Sequence, residues 1–156
     1  MGSGGQIVDY SRRAFLGLSA AAIMSCAASP PPRAMVVHRS PSCGCCGGWV
    51  DHLRGAGFTV TEQMADDLSP VAARLGVPDP VRSCHTGEIG GYFVEGHVPA
   101  ADVERLLRER PSARGIAVPG MPVGSPGMEM GARREVYQTL LVDLNGGLSV
   151  FATHPS

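Results

Sequence analysis

Three cysteines stand within four consecutive positions of this chain, in the stretch "SPSCGCCGG" that begins at Ser40. Cys43 and Cys46 form a C-x-x-C pair, and Cys45 directly precedes Cys46. A disulfide between the two adjacent cysteines would be far from relaxed geometry. The thiolate form of cysteine exchanges disulfides and binds metals, and soft thiolate ligands select Cu(I), zinc or iron–sulfur clusters. The spacing therefore indicates a thiolate site.

The surrounding elements predict a position that stabilises thiolates. "AMVVHRS" predicts a strand before the cysteines, and "GGWVDHLRGAG" predicts a helix after them, with Trp49 and Leu53 on one face. Free N–H groups and the positive end of the dipole at a helix start lower the pKa of a cysteine. Thioredoxin-like proteins carry their redox pair at such a place, so disulfide exchange and metal binding both stay open at this point.

The third cysteine, Cys45, favours metal binding. A dithiol oxidoreductase needs two sulfurs, and an adjacent third would compete for the mixed disulfide. Neighbouring residues on a helix point about 100° apart, so the three sulfurs suit several bridged ions better than one tetrahedral zinc. Outside the cytoplasm copper is the favoured ion. A structural zinc site made of Cys43, Cys46, Cys84 and a histidine is the alternative.

Further candidate ligands follow downstream. "SCHTGEIGGYFVEGHVP" contains Cys84, His85 and His97, and imidazole suits copper and zinc alike. The alternative for each histidine is a residue that only makes hydrogen bonds. Met121 and Met128 lie in the Pro/Gly-rich stretch "GIAVPGMPVGSPGMEMG". They are candidate secondary ligands through their thioether sulfurs, and filling a gap beneath the loop is their alternative role.

The N-terminus resembles an export signal. The arginine pair Arg12 and Arg13, an apolar run over about 14–24 and then small residues and prolines match the three parts of a secretory signal. The run is shorter than the roughly 20 residues of a membrane-spanning helix. "SRRAFL" is similar to the twin-arginine signal. We therefore expect a twin-arginine-type signal with a proline linker over 1–32, and one metal-binding domain over 33–156.

Processing of the signal has two alternatives. "IMSC" resembles a bacterial lipoprotein box, which would make Cys26 the lipidated first residue of the mature protein. The small residues Ser25 and Ala27 would suit a soluble-secretion peptidase instead. Either route predicts a periplasmic or cell-envelope protein that contacts the membrane only through its signal or a lipid anchor. The net charge of −1 offers no basic surface for nucleic acid.

The remaining patterns predict one α/β domain. "FTVTE" and "GGYFVEG" are typical of strands, and "LSPVAARLGVP" and "PAADVERLLRER" are typical of helices. "VYQTLLVDLNGGLSVFATH" predicts a hairpin that turns at Asn145 and Gly146. We therefore expect a mixed sheet flanked by helices, with the last helix before a C-terminal β-hairpin.

Four motifs together resemble the periplasmic copper-resistance proteins called CopG: "SPSCGCCGGWVDHLRGAGF", "ARLGVP", "SCHTGEIGGYFVEGHVP" and "VPGMPVGSPGME". The resemblance runs from about Met35 to Thr153. It implies a thioredoxin-like variant of the α/β fold that binds several Cu(I) ions for copper resistance or handling outside the cytoplasm. The implied ligands are thiols and imidazoles: Cys43, Cys45, Cys46, Cys84, His85 and His97. Copper ions and other periplasmic copper-resistance proteins are the implied partners.

Three functional hypotheses follow from the sequence. The first is a copper-binding protein, more a metal-binding protein than an enzyme, whose cysteines cycle between metal-loaded thiolates and disulfides. The second is a thiol–disulfide oxidoreductase of thioredoxin-like fold that acts on exported proteins. The third is a small binding domain whose four cysteines after the export segment form two disulfides, as is common in oxidising compartments.

Overall fold

A computed structural model describes residues 1–2, 4–5 and 33–156 of the chain. Arg12, Arg13 and Cys26, on which the export and lipidation predictions depend, lie outside the described residues. Within the described residues, no helix has the length and apolar character needed to cross a membrane.

The domain over 33–156 consists of strands and helices that alternate along most of the chain. The strands are β1 (Ala34–Arg39), β2 (Thr59–Met64), β3 (His85–Ile89), β4 (Tyr92–Glu95), β5 (Ala113–Ala117), β6 (Tyr137–Asp143) and β7 (Leu148–His154). The helices are α1 (Gly44–Gly55), α2 (Ser69–Leu75) and α3 (Ala100–Glu109), with a short 3₁₀ turn at Asp79–Val81.

The strands form one mixed sheet in the order β2-β1-β3-β4-β5-β6-β7. Two neighbouring pairs, β1 with β2 and β4 with β5, are parallel, and the other pairs are antiparallel. Helices α1 and α3 make the crossovers that these parallel pairs require. The predicted α/β class, the mixed sheet and the C-terminal β-hairpin of β6 and β7 are confirmed, and the thioredoxin-like assignment stays a prediction.

The sequence patterns did not predict two interior strands, β3 and β5. Strand β3 reads "HTGEI", in which glycine and charge obscure the usual apolar pattern, and it pairs with β1 and β4. Strand β5 reads "ARGIA", whose last three residues open the Pro/Gly-rich stretch, and it pairs with β4 and β6. Both strands form because pairing with a neighbouring strand on each side outweighs their low local β propensity.

Helices α1 and α3 cover one face of the sheet, and α2 lies on the other. Val94 of β4 packs in one core cluster with Trp49 of α1 and Val103 of α3. The preceding residue, Phe93, packs in a second cluster with Ala72 of α2. This division follows because successive residues of a strand point to opposite faces. The first cluster anchors α1, whose N-terminal turn carries cysteines.

Candidate metal centre

The C-x-C-C cysteines lie at the N-terminal end of α1, directly after β1, as the sequence predicted. Cys43 is the N-cap residue, with φ −83 and ψ 96. The first N–H groups of a helix have no partner within the helix and favour negative charge. The buried Trp49 donates its Nε1 hydrogen to the Val98 carbonyl at 2.8 Å. This bond holds the start of α1 next to the segment that carries His97.

The sulfur atoms of four cysteines converge within 4.8 Å of one another: Cys43, Cys45, Cys46 and Cys84. Cys43 and Cys46 are joined in a disulfide, while Cys45 and Cys84 are free thiols. The Cys45 Sγ lies 3.4 Å from the Cys43 Sγ. The structure therefore assembles all four predicted thiols, two of them oxidised. The two disulfides of a purely disulfide-stapled domain are not formed by the cysteines of the described region.

Cys84 also belongs to a second group, whose ligand atoms lie within 4.8 Å of one another together with His85 and His97. The Cys84 Sγ is 3.3 Å from Nδ1 of His85 and 3.4 Å from Nε2 of His97. Both imidazole rings are completely buried. The Trp49 ring packs against the His85 ring with centroids 4.3 Å apart. The Cys84 sulfur is thus common to both groups of potential ligands.

Backbone carbonyls determine which ring nitrogens carry hydrogen. Nε2 of His85 lies 2.9 Å from the Gly96 carbonyl oxygen, and Nδ1 of His97 lies 2.9 Å from the Pro126 carbonyl oxygen. A carbonyl oxygen can only accept, so these two nitrogens are the donors. The opposite nitrogen of each neutral ring therefore directs a lone pair at the Cys84 sulfur. Metal-binding histidines are commonly oriented by such a second contact.

Burial keeps both imidazoles in their metal-binding form. It lowers the pKa of His85 to about 3, an effect to which the neighbouring His97 adds. It also lowers the pKa of His97. Burial, followed by the nearby Cys45, raises the pKa of the Cys84 thiol to about 11. At neutral pH the metal-free site therefore holds two neutral rings and a protonated thiol, whose proton a metal ion would displace.

Glu95 holds the segment that carries Cys84, and the sequence analysis missed this role. Its carboxylate is buried and accepts the Ser83 N–H at 2.6 Å and the Thr86 hydroxyl at 2.6 Å. Ser83 and Thr86 flank the Cys84–His85 pair, so one carboxylate fixes the backbone on both sides of it. The available signal was a carboxylate at the end of the apolar "YFV" run, two residues before His97.

The Pro/Gly-rich loop after β5 lies against the start of α1. Gly127 has φ 82, and a Cβ on it would come within 2.6 Å of the Cys45 carbonyl oxygen. The adjacent Pro126 supplies the carbonyl that orients His97. On this loop Met121 is exposed and Met128 is half-buried. A ligand role for either methionine stays a prediction.

Comparisons with known proteins agree with these motifs. Residues 81–128 match the family described as "Protein of unknown function, DUF411". No curated protein matches the chain. Two solved structures, "Copper resistance protein copG- Form 1" and "Copper resistance protein copG- Form 2", are each 55% identical to it with a TM-score of 0.76. Each match covers 80% of this chain and 99% of the solved chain, which confirms the resemblance that the motifs indicated.

Proposed function

The chain belongs to the CopG family of copper resistance proteins, and we propose that it binds several Cu(I) ions through its reduced cysteines. The observation that carries this proposal is the convergence of four cysteine sulfurs and two imidazole nitrogens around Cys84. Thiolate sulfur is a soft ligand that selects Cu(I), and imidazole is compatible with copper. The chain would thereby serve copper resistance or copper handling.

The number of potential ligands favours more than one ion. The two groups together contain six ligand atoms: the sulfurs of Cys43, Cys45, Cys46 and Cys84 and one nitrogen each of His85 and His97. A structural zinc site takes only four ligands. The sulfur of Cys84 belongs to both groups and would bridge ions bound in them. A single zinc ion on Cys43, Cys46, Cys84 and a histidine would leave Cys45 without a role.

The Cys43–Cys46 disulfide makes the proposed binding depend on redox state. A disulfide sulfur is not a thiolate, so the cluster of Cys43, Cys45, Cys46 and Cys84 offers two free thiols with this bond and four when it is reduced. Thiolates are the metal-binding form of cysteine. We propose that the reduced chain carries the most copper, and that the chain with the Cys43–Cys46 disulfide binds fewer ions.

Other parts of the proposal concern location and accessory ligands. The arginine pair and apolar run within residues 1–32 support export to the periplasm or cell envelope, with Cys26 as the site of a lipid anchor in one of the two processing routes. Other periplasmic copper-resistance proteins would be the partners. Met121 and Met128 lie on the loop that packs against α1 and would serve as secondary thioether ligands.

Anaerobic metal titration tests the proposal. The fully reduced protein is titrated with Cu(I) against a chromophoric Cu(I) chelator, and bound metals are then counted by elemental analysis. We expect more than one Cu(I) per chain, and we expect Cys84→Ser to reduce that number sharply because it removes the shared sulfur. Cys26→Ser, which changes a cysteine of the export segment, is the matched control and should leave the number unchanged. One bound zinc and no copper would contradict the proposal.

A second candidate function is thiol–disulfide exchange with exported proteins. The disulfide between Cys43 and Cys46 at the start of α1 favours it. This function predicts turnover of a model disulfide substrate that survives Cys45→Ser and is abolished by Cys43→Ser. Absence of turnover with every reductant tried would remove this candidate and leave copper binding unaffected.

A further inference from the structure

We propose that His52 is a positioning residue for the candidate metal centre, because it fixes the segment that leads from His97 into α3. The inference rests on the proposed function, since its consequence is measured as Cu(I) binding. His52 is a half-buried residue of α1, and neither group of potential ligands contains it. It would act on the backbone next to a ligand, without binding the metal itself.

The contact between His52 and α3 replaces a missing helix cap. The first N–H groups of a helix have no partner within the helix, and a side chain of the N-cap residue commonly accepts one of them. The N-cap of α3 is Pro99, whose side chain makes no such bond. The Ala100 N–H donates instead to Nε2 of His52 at 3.0 Å. A side chain of α1 thus supplies the cap that α3 lacks.

Two side chains of α1 hold this same short segment. Trp49 donates its Nε1 hydrogen to the Val98 carbonyl at 2.8 Å. His52, three residues later on α1, accepts the Ala100 N–H, and residues three apart lie on one face of a helix. The held segment follows directly after His97. Without the His52 bond, only the Trp49 bond of this pair would remain, and the position of His97 would be less fixed.

Only the neutral form of His52 can make this contact. The Ala100 N–H is a donor, so Nε2 offers a lone pair and the ring hydrogen lies on Nδ1. Burial lowers the pKa of His52 from its ordinary value of 6.5, and the Glu129 carboxylate opposes this shift. Protonation would put a hydrogen on Nε2 and a positive charge at the positive end of the α3 dipole. The contact is therefore formed at neutral pH and is lost as the pH falls below 6.5.

The other charged groups near His52 have partners of their own. On α1, Asp51 and Arg54 pair with each other at 3.7 Å. In the first turn of α3, Asp102 bonds to side chains of β6 and β7. Burial and the Glu129 carboxylate therefore govern the titration of His52.

Three variants test the inference by Cu(I) titration of the reduced protein against a chromophoric chelator at neutral pH. His52→Leu removes the acceptor, and we expect it to weaken Cu(I) binding about tenfold, as changes to groups that orient metal ligands commonly do. His52→Gln places an amide oxygen at the same number of bonds from the backbone, so it can accept the Ala100 N–H and should keep an affinity close to wild type.

His154→Gln is the matched control. It removes a bond to Asp102 in the first turn of the same helix without touching the 98–100 segment. It should therefore lower the free energy of unfolding and leave the Cu(I) affinity unchanged, whereas His52→Leu should lower both.

A metal-free measurement separates this inference from the proposed function. Trp49 is the only tryptophan of the chain, so its indole N–H gives a single NMR signal. We expect the Trp49 indole and the Ala100 amide to be less protected against hydrogen exchange in His52→Leu than in the wild type. In the wild type this protection should fall below pH 6.5, and in His52→Gln, which does not titrate at this position, it should fall less.

Two results would overturn the inference: unchanged Cu(I) affinity in a folded His52→Leu protein, or an equal loss of affinity in His154→Gln. If circular dichroism shows that His52→Leu does not fold, the wild type and His52→Gln decide, and equal protection of Ala100 in these two proteins below pH 6.5 would overturn it. A wild-type chain that binds one zinc and no copper contradicts the proposed function, whereas unchanged affinity in His52→Leu contradicts this inference alone.

Discussion

Four histidines of this domain, all except His52, occur in two kinds of polar cluster. Where α3 meets β6 and β7, Nε2 of His154 lies 2.9 Å from Oδ2 of Asp102, and the Thr139 hydroxyl donates to the same oxygen at 2.5 Å. In the candidate metal centre, His85 and His97 both direct nitrogen lone pairs at the Cys84 sulfur. The first cluster therefore brings donors to an anion, whereas the second brings acceptors to one thiol.

The difference lies in whether the nitrogen that faces the cluster donates a hydrogen or offers a lone pair. The carboxylate cluster is complete within the protein, because each of its donors has an acceptor. The same holds for His38, which lies 2.6 Å from a Glu88 oxygen on the neighbouring strand. In the candidate metal centre two acceptor nitrogens face one thiol, which has a single hydrogen to donate. The nitrogen that faces the cluster thus carries a hydrogen in His38 and His154, whereas it offers a lone pair in His85 and His97, as the proposed metal binding would require.

Among the variants that test this comparison, Gly127→Ala should have the largest effect on stability and on Cu(I) binding, because it disturbs the loop that orients His97. Gly127 has φ 82, and a Cβ on it would lie 2.6 Å from both the Cys45 carbonyl oxygen and the Trp49 backbone nitrogen. We therefore expect the alanine variant to lose about 3 kcal/mol of unfolding free energy. Displacement of the Pro126 carbonyl should also weaken Cu(I) binding. Denaturant unfolding and Cu(I) titration measure the two effects.

Gly146→Ala is the matched control for this change. Gly146 has φ 86 in the β6–β7 turn, and a Cβ there would meet no atom within 4 Å. It should therefore show only the backbone cost of about 1–2 kcal/mol, with Cu(I) binding unchanged. Equal Cu(I) affinities in the two alanine variants would show that the loop does not support the site.

Asp102→Asn should affect stability without affecting the metal. The neutral amide weakens the bonds from Thr139 and His154, so we expect a loss of about 2 kcal/mol in denaturant unfolding. The number of bound Cu(I) ions should stay the same, in contrast to Cys84→Ser. A folded Asp102→Asn protein with fewer copper ions would contradict the separation of the two clusters.

Glu88→Gln should have the smallest effect, and its signature is pH dependence. The hydrogen bond from Arg74, with a smaller effect from His38, lowers the pKa of Glu88 to about 2 from an ordinary value of 4.5. The carboxylate therefore stabilises the fold above pH 4.5, and this stabilisation is lost as the pH falls toward 2. Because the ion pair with Arg74 is largely solvent-exposed, we expect a loss of about 1 kcal/mol at pH 7.

Acid unfolding of the wild type and Glu88→Gln measures this contribution. The variant should show a flatter loss of stability below pH 4.5, and its Cu(I) number at pH 7 should match the wild type. Parallel pH profiles for the wild type and the variant would contradict the expected stabilisation of the fold by the Glu88 carboxylate.

The fold and the site were predictable where their signals are local. The C-x-C-C spacing and the adjacent Cys84 and His85 identify candidate ligands because these residues are close in the chain. The joining of the two sets depends on strand β3, which the sequence patterns did not predict. Its register with β1, which pairs Arg39 with His85, brings Cys84 to the start of α1. That pairing is between segments distant in sequence, so no local pattern could reveal it.

The sequence by itself determined which atoms can bind a soft metal, because thiol and imidazole chemistry belongs to the side chains. Only the tertiary structure decided how these atoms are presented. The carbonyls of Gly96 and Pro126 place the hydrogens of His85 and His97, and so direct both lone pairs at Cys84. A backbone carbonyl is present in every residue and leaves no mark in the sequence. The orientation of the ligands therefore emerges only when the chain is folded.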